Sequence, residues 1–237
     1  MIIKAVLFDM FDTLIMIEHN HQFYVPSLKR MFDILKNKVT IESFDEFVNA
    51  YTRARVELYK KADIKNEEPH FNERVSKALQ YLGYNYNKDS SVVIDATLAF
   101  CKEFMKYVKI DKDTKKVLTK LIKNYKLGIV SNFAIPECVV KLLQNNKIKK
   151  NFSVIIVSGD INKRKPSPEI FEKALKALEV IGPEAVFVGD TLDADIKGAQ
   201  EVGMKTIFIE RREQKEKAFI HPDKTIKKLK ELLLFIE

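Results

Sequence analysis

The chain has 237 residues, enough for one large domain or for a core with a smaller companion, and long enough to bury a sizeable apolar interior. Its hydrophobic fraction of 46% and charged fraction of 31% suit a globular protein, and no segment reaches the roughly 18 unbroken apolar residues of a membrane span. The formal charge of +8 raises nucleic-acid binding as an option, but the lysines are scattered among acids, as in Lys112-Asp113-Thr114-Lys115-Lys116, and no nucleic-acid motif accompanies them.

Met1 to Phe8 run directly into Asp9, too short and wrongly flanked for a signal peptide, so a cytoplasmic setting is expected. Within this stretch, residues 2–8 form an apolar, β-branched run that predicts a buried parallel strand delivering Asp9 to a sheet edge. From about residue 20 to 108 the signal turns helical. Apolar residues recur every three or four positions from Phe44 onward, near 70–83 and across 91–107, with Gly83 and the stretch Asn85 to Ser91 as interruptions.

Strand and helix then alternate. A helix at about 112–124 leads into Lys126 to Ser131, and a helix after Pro136 leads into Ser153 to Val157. Helices at about 168–180 and 193–202 precede Ala185 to Asp190 and Lys205 to Ile209. This pattern predicts an α/β fold, a doubly wound parallel sheet with helices on both faces, whose ligands bind beyond the carboxyl ends of the strands. Three strands end there in polar residues: Asp9, Ser131 and Asp190. The long helical block is then an insertion, an expected smaller all-helical cap domain at 17–108 over a catalytic core formed by 1–16 and 109–237. Cys101 and Cys138, the only cysteines, lack metal or redox spacing and are expected to be packing residues in a reducing compartment.

Asp9 and Asp190, brought to one edge by the fold, make a hard oxygen site suited to magnesium, which would offset charge on a bound phosphoryl group. Asp195 stands at a helix start, where it either orients the site from its rim or serves as an ordinary cap. Ser131 and Asn132 follow a strand at a turn whose hydroxyl and amides can hold phosphate oxygens. Lys165, fixed by Pro166 just before a helix, can neutralise both a nucleophile and a transferring phosphoryl group.

The order of these pieces resembles the haloacid dehalogenase-like hydrolase superfamily over nearly the whole chain. Phe8-Asp9-Met10-Phe11-Asp12-Thr13-Leu14 is similar to its first motif, Val130-Ser131-Asn132 to its second and Lys165-Pro166 to its third. The run Gly189-Asp190-Thr191-Leu192-Asp193-Ala194-Asp195, continuing to Gly198-Ala199 and Gly203-Met204, is similar to its fourth. The resemblance implies a Rossmann-like core and a phosphatase in which Asp9 attacks phosphorus to form an aspartyl-phosphate that water then hydrolyses. It implies Mg2+ held by Asp9, the backbone carbonyl of Phe11 and Asp190, with Asp195 as a further candidate ligand. Ser131 and Asn132 would bind the substrate phosphate and Lys165 would steady its charge. The expected partner is a small phosphorylated molecule, with neither nucleic acid nor membrane, and the protein acts as a monomer or homodimer.

One position departs from that pattern. Family phosphatases carry a second aspartate two residues after the nucleophile, as acid and base for the leaving oxygen and the attacking water, and here that residue is Phe11. Asp12 either takes over the role or holds the turn by a hydrogen bond. An aromatic residue at this place is also similar to the dehalogenase branch, which attacks carbon without metal, although Asp190 is then unexplained. A phosphate-binding protein with impaired catalysis is the reading from another class. In the cap, His19, His21, Tyr24, Arg53 and Arg55 are candidates for substrate selection, with a structural role as the plainer alternative for each.

Overall fold

A computed structural model describes residues 2–18, 22–211 and 219–236. Its sheet has six parallel strands in the order β5-β4-β1-β6-β7-β8. They are β1 (Ala5–Phe8), β4 (Lys126–Ser131), β5 (Val154–Val157), β6 (Ala185–Gly189), β7 (Lys205–Ile209) and β8 (Lys224–Ile226). β1 lies at the centre, with Phe8 beside both Ile129 and Val188. Its four side chains are fully buried, as a strand covered on both faces requires. The chain winds outward from β1 through β4 to β5, then crosses back to β6, so the winding reverses around β1. That reversal opens a crevice at the carboxyl edge.

Helices α5 (Thr114–Leu121), α6 (Pro136–Asn145), α8 (Pro168–Leu178) and α9 (Gly198–Glu201) flank the sheet, with the short α7 (Ser158–Ile161) after β5. α6 and α8 both begin with proline at the first helical position, where the missing N–H costs nothing and the fixed φ suits the helix.

Between β1 and β4 lies a helical unit of α1 (Tyr24–Leu35), α2 (Phe44–Ala62), α3 (Phe71–Tyr81) and α4 (Ser91–Phe104). α2 shows why these residues form a helix. Ser43 Oγ accepts the Glu46 N–H at 3.1 Å, Asp45 and Glu46 stand in the first turn, and Lys60 and Lys61 in the last, matching the helix dipole at both ends. Phe47, Ala50, Tyr51 and Ala54 form its buried stripe. Arg74 is buried within this unit and donates to the hydroxyls of Tyr51 at 2.8 Å and Tyr59 at 2.9 Å.

The structure adds elements that the hydrophobic pattern did not call. β2 (Ile15–Ile17) and β3 (Val108–Ile110) pair antiparallel as a separate ribbon at the two ends of the helical unit, and the expected boundaries after residues 16 and 108 fall inside it. The first strand starts at Ala5 rather than residue 2. The helix expected over 193–202 is a wider π-helical turn, Leu192–Lys197, followed by α9. None of the helices is long and apolar enough to cross a membrane among the described residues.

Candidate active site

The loop after β1 carries Asp9 and Phe11 and turns sharply at Asp12, whose φ is +56°. Asp12 Oδ1 accepts the Ile17 N–H at 2.9 Å, while its backbone carbonyl accepts from Arg211 Nε at 3.0 Å. Arg211 also donates to the Thr13 carbonyl at 2.9 Å and the Asp111 carboxylate at 3.1 Å. This arginine fixes the loop from almost 200 residues away, and no local sequence signal marks it.

Asp9 is 7% exposed and Lys165 3% exposed, and they are joined by a 2.6 Å ion pair. Lys165 Nζ also lies 2.7 Å from Asp195 Oδ1. Asp195 is 1% exposed and its other oxygen accepts the Thr191 N–H at 2.9 Å. The rim position expected for Asp195 is therefore corrected: it is a central, buried partner of the lysine. Gly189 makes this possible, because a Cβ there would meet the Asp195 carboxylate oxygen at 2.4 Å.

Asp190, at the end of β6, completes a cluster in which Asp9, Asp190 and Asp195 each offer an oxygen within 4.8 Å of the others. Burial pushes the Asp190 carboxyl up to about 8, and the neighbouring charges of Asp9 and Asp195 push it the same way. Burial likewise raises Asp9, to about 6, while Lys165 pulls against that rise. Burial alone would lower Lys165, but the Asp195 and Asp9 charges outweigh it and hold its ammonium above the ordinary value. The cluster has more buried negative charge than one lysine offsets, which is the electrostatic setting of a divalent-cation site.

Asn132 behaves differently from a simple phosphate ligand. Its side-chain amide donates to the Lys165 carbonyl at 2.9 Å and accepts the Lys165 N–H at 2.8 Å, so it clamps the lysine's backbone. Ser131 Oγ is fully buried and meets no protein hydrogen-bond partner among the described residues.

Beside the acids, Phe11 packs against Phe133 at 4.8 Å and Phe104 at 5.6 Å, and Phe104 reaches Phe133 at 5.3 Å and Phe23 at 4.7 Å between ring centres. Two of these rings come from the core and two from the helical unit. A cavity of about 280 Å³ lies over the acids, lined by Asp9, Phe11, Asp12, Lys165 and Asp190 among others, and Phe11 is the one ring of this wall that lines it. Larger clefts, of about 470 and 520 Å³, lie elsewhere, but the cluster of three carboxylates is here.

The described candidates from the helical unit do not line this cavity. Tyr24 donates to the Tyr51 hydroxyl at 3.1 Å inside the unit, Arg53 sits over the Tyr81 ring at 4.0 Å, and Arg55 is exposed. His19 and His21 lie outside the described residues.

A parallel sheet whose carboxyl edge gathers a carboxylate, a lysine and two further acids is an α/β fold with a charged site where such sheets bind ligands. The sequence matches the haloacid dehalogenase-like hydrolase family over residues 3–203, and the chain belongs to that family. Among curated relatives, a glyceraldehyde 3-phosphate phosphatase of Pyrococcus abyssi is 32% identical, over 87% of this chain and 81% of that protein. One from Methanopyrus kandleri is 29% identical, over 88% and 84%. Among solved structures, a HAD phosphatase from Thermococcus onnurineus superposes with a TM-score of 0.65 at 26% identity, covering 99% of this chain and 98% of that one. A 2-haloacid dehalogenase from Pseudomonas syringae shares the fold, with a TM-score of 0.76 at 24% identity and coverage of 98% and 97%.

Proposed function

We propose that this hydrolase cleaves phosphoesters of small molecules, with Asp9 as the nucleophile and Mg2+ as the cofactor. The observation that carries the reading is the buried Asp9–Lys165–Asp195 arrangement beside Asp190. Lys165 holds the Asp9 carboxylate in one orientation and is itself held by Asp195 and by Asn132, so the nucleophile is positioned before substrate arrives. The phosphatase names of the relatives support the same substrate chemistry.

In the first step a carboxylate oxygen of Asp9 attacks phosphorus and the bond to the leaving oxygen breaks, giving an aspartyl-phosphate. Water then releases phosphate and restores Asp9. Lys165 offsets negative charge as it builds on the phosphoryl oxygens, and Ser131 Oγ donates to one of them. Asp9, Asp190 and the Phe11 carbonyl would hold Mg2+, with Asp195 shared between that cluster and Lys165. Bound there, the metal supplies positive charge against the phosphoryl oxygens. The helical unit acts as a cap that keeps water from the reacting centre.

Phe11 supports a second reading. An apolar ring beside the nucleophile, with no carboxylic acid in its place, suits attack on carbon, as in a dehalogenase. The raised, clustered carboxyl of Asp190 favours the phosphoester reading, because a metal-free reaction leaves that half-buried acid without use.

Phosphate release from a panel of phosphoesters, with magnesium and with a chelator, tests the first reading. Halide release from a chlorinated carboxylic acid tests the second. Magnesium-dependent phosphate release is expected. Halide release that persists in chelator, without phosphate release, would replace the first reading by the second.

A further inference from the structure

Lys165 is held from the core by Asn132, and the residue before it is held from the helical unit. Arg164 Nη2 lies 2.5 Å from the Asp63 carboxylate, and the Arg164 N–H donates to the Asn66 carbonyl at 2.8 Å. Lys163 Nζ adds a bond of 3.3 Å to the Lys65 carbonyl. These acceptors belong to the short turn Asp63–Lys65 that follows α2, and to Asn66 at its end, whose φ of +50° is a left-handed conformation that asparagine tolerates. Two successive carbonyls of the helical unit, Lys65 and Asn66, thus receive two successive residues of the core loop, Lys163 and Arg164.

Arg164 is fixed on its other sides as well. Its carbonyl accepts the Ser167 N–H at 2.9 Å, and its guanidinium lies 5.7 Å from the centre of the Tyr59 ring on α2. Tyr59 is held in turn, with Arg74 Nη2 donating to its hydroxyl at 2.9 Å and the hydroxyl donating to the Glu68 carboxylate. The segment 63–71 also reaches the loop after β4, where the Phe71 N–H donates to the Ala134 carbonyl at 2.8 Å. It therefore rests on both core loops that meet at the Asn132–Lys165 clamp. Arg164 does not line the Asp9 cavity, so any part it has in the reaction runs through its neighbour Lys165. Its pair with Asp63 is a poor source of stability, because the Asp63 side chain is 59% exposed and such pairs contribute little.

We propose that Arg164, anchored by Asp63, is a positioning residue for Lys165, through which the helical unit helps to set the lysine against Asp9. Its effect on turnover rests on the phosphoester reading; its effect on the lysine does not. Without the anchor, residues 163–165 gain freedom and Lys165 Nζ spends less time on Asp9 and Asp195. The carboxylate that Lys165 orients is then less often aligned for attack. The Arg164 N–H keeps its bond to Asn66 in any side-chain variant, so the loop loosens without coming away.

Arg164→Ala, Asp63→Ala and Arg164→Lys are compared with the wild-type full chain, well below their melting temperatures, by two measurements. The first is the rate at which an amine-reactive reagent modifies Lys165, located by mass spectrometry. Lys165 is 3% exposed, so its modification reports local opening. The rate should rise by about tenfold in Arg164→Ala and Asp63→Ala, whereas Arg164→Lys, which keeps a charge for Asp63, should stay near wild type. The second is phosphate release: kcat should fall by about tenfold in the two alanine variants, with KM changed by less than about twofold. In a Lys165→Met background Arg164→Ala should lower kcat no further, since the residue it positions is gone. An unchanged Lys165 modification rate in both alanine variants would overturn the proposal whatever happens to turnover. A further fall in kcat in the Lys165→Met background would overturn it too, because Arg164 would then act independently of the lysine. Faster modification in the variants of a protein that releases no phosphate would uphold the positioning of Lys165 and sink the phosphoester reading alone.

Discussion

Asp9 and Phe11 stand two residues apart in one loop, yet they open onto regions built on opposite rules. On the Asp9 side the groups are charged or polar and, Ser131 Oγ aside, tied to one another: Lys165 to Asp9 and Asp195, Asp195 to Thr191, Asn132 to the Lys165 backbone. On the Phe11 side four rings meet edge to face, tilted or, for Phe104 and Phe133, stacked, and none of the four carries an ionisable group. The first region is costly to bury and is held by its own ion pairs and hydrogen bonds; the second gains from burial and joins the two units of the fold. Under the phosphoester reading, the proposed phosphoryl-binding groups lie on one side and, on the other, an aromatic surface offers no acid to the leaving group.

The largest effect should come from the charge that opens the polar region. Asp9→Asn keeps the size of the side chain and removes the attacking oxygen's charge, so phosphoester turnover should fall by at least about 10⁴-fold. Lys165 keeps Asp195 as a partner in that variant, so the melting temperature should move little. Turnover near wild type, measured as phosphate release, would remove Asp9 from the nucleophile role and leave the comparison without its polar half.

Lys165→Met tests whether the polar region holds together through its single cation. Two buried carboxylates then face each other without it, which should cost about 3–5 kcal/mol in urea unfolding and about 10²–10³-fold in kcat. Adding Asp195→Asn should recover part of the stability and none of the turnover. Recovery of both would mean that Lys165 is only structural.

Asp190→Asn comes next in size. It removes one hard oxygen donor while leaving the Asp9–Lys165 pair in place, so magnesium binding measured by calorimetry should weaken by about 10- to 100-fold. Turnover should fall with it and return in part at high magnesium. Unchanged binding would take Asp190 out of the metal site.

The two regions were not equally legible in the sequence. Asp9, Ser131 and Asp190 stood out because each ends a continuous apolar run, and Lys165 because a proline follows it just before a helix. The six-stranded sheet followed from the same runs, except for β8, whose three residues are too few to show a period. β2 and β3 were hidden for the same reason, though they join the helical unit to the core. Asp195 was read too shallow, since its depth depends on Gly189 leaving room and on a π-helical turn that the periodicity of an α-helix does not describe. The clamp of the Asn132 side chain on the Lys165 backbone was not legible, because it joins residues 33 positions apart. The aromatic wall is the least legible feature. Phe11, Phe23, Phe104 and Phe133 come from separate elements, and nothing local in any of them points to the others.

The smallest expected effect, and the sharpest test of the comparison, is the reintroduction of an acid into the aromatic side. If no group protonates the leaving oxygen, the rate should depend on how well that group departs as an anion. A nitrophenyl phosphate should then be cleaved faster than an alkyl phosphate such as glyceraldehyde 3-phosphate, the substrate in the name of the relatives. Phe11→Asp places a carboxyl next to Phe104 and Phe133, where burial favours its protonated form and so readies it to donate. Well-positioned general acids are worth about 10²–10⁴-fold; an acid added without supporting hydrogen bonds should recover only about tenfold of that, on the alkyl ester alone. Loss of the ring contacts should lower stability by about 3 kcal/mol, so the comparison is made well below the melting temperature. Asp12 is the rival donor, although its Oδ1 already accepts the Ile17 N–H at 2.9 Å. Asp12→Asn separates the two cases: equal kcat/KM on both esters in the wild type, with a collapse on the alkyl ester in Asp12→Asn, would make Asp12 the acid. An aryl preference in the wild type that Phe11→Asp narrows, with Asp12→Asn changing both esters alike, would mean that the aromatic wall stands where the proton donor is missing.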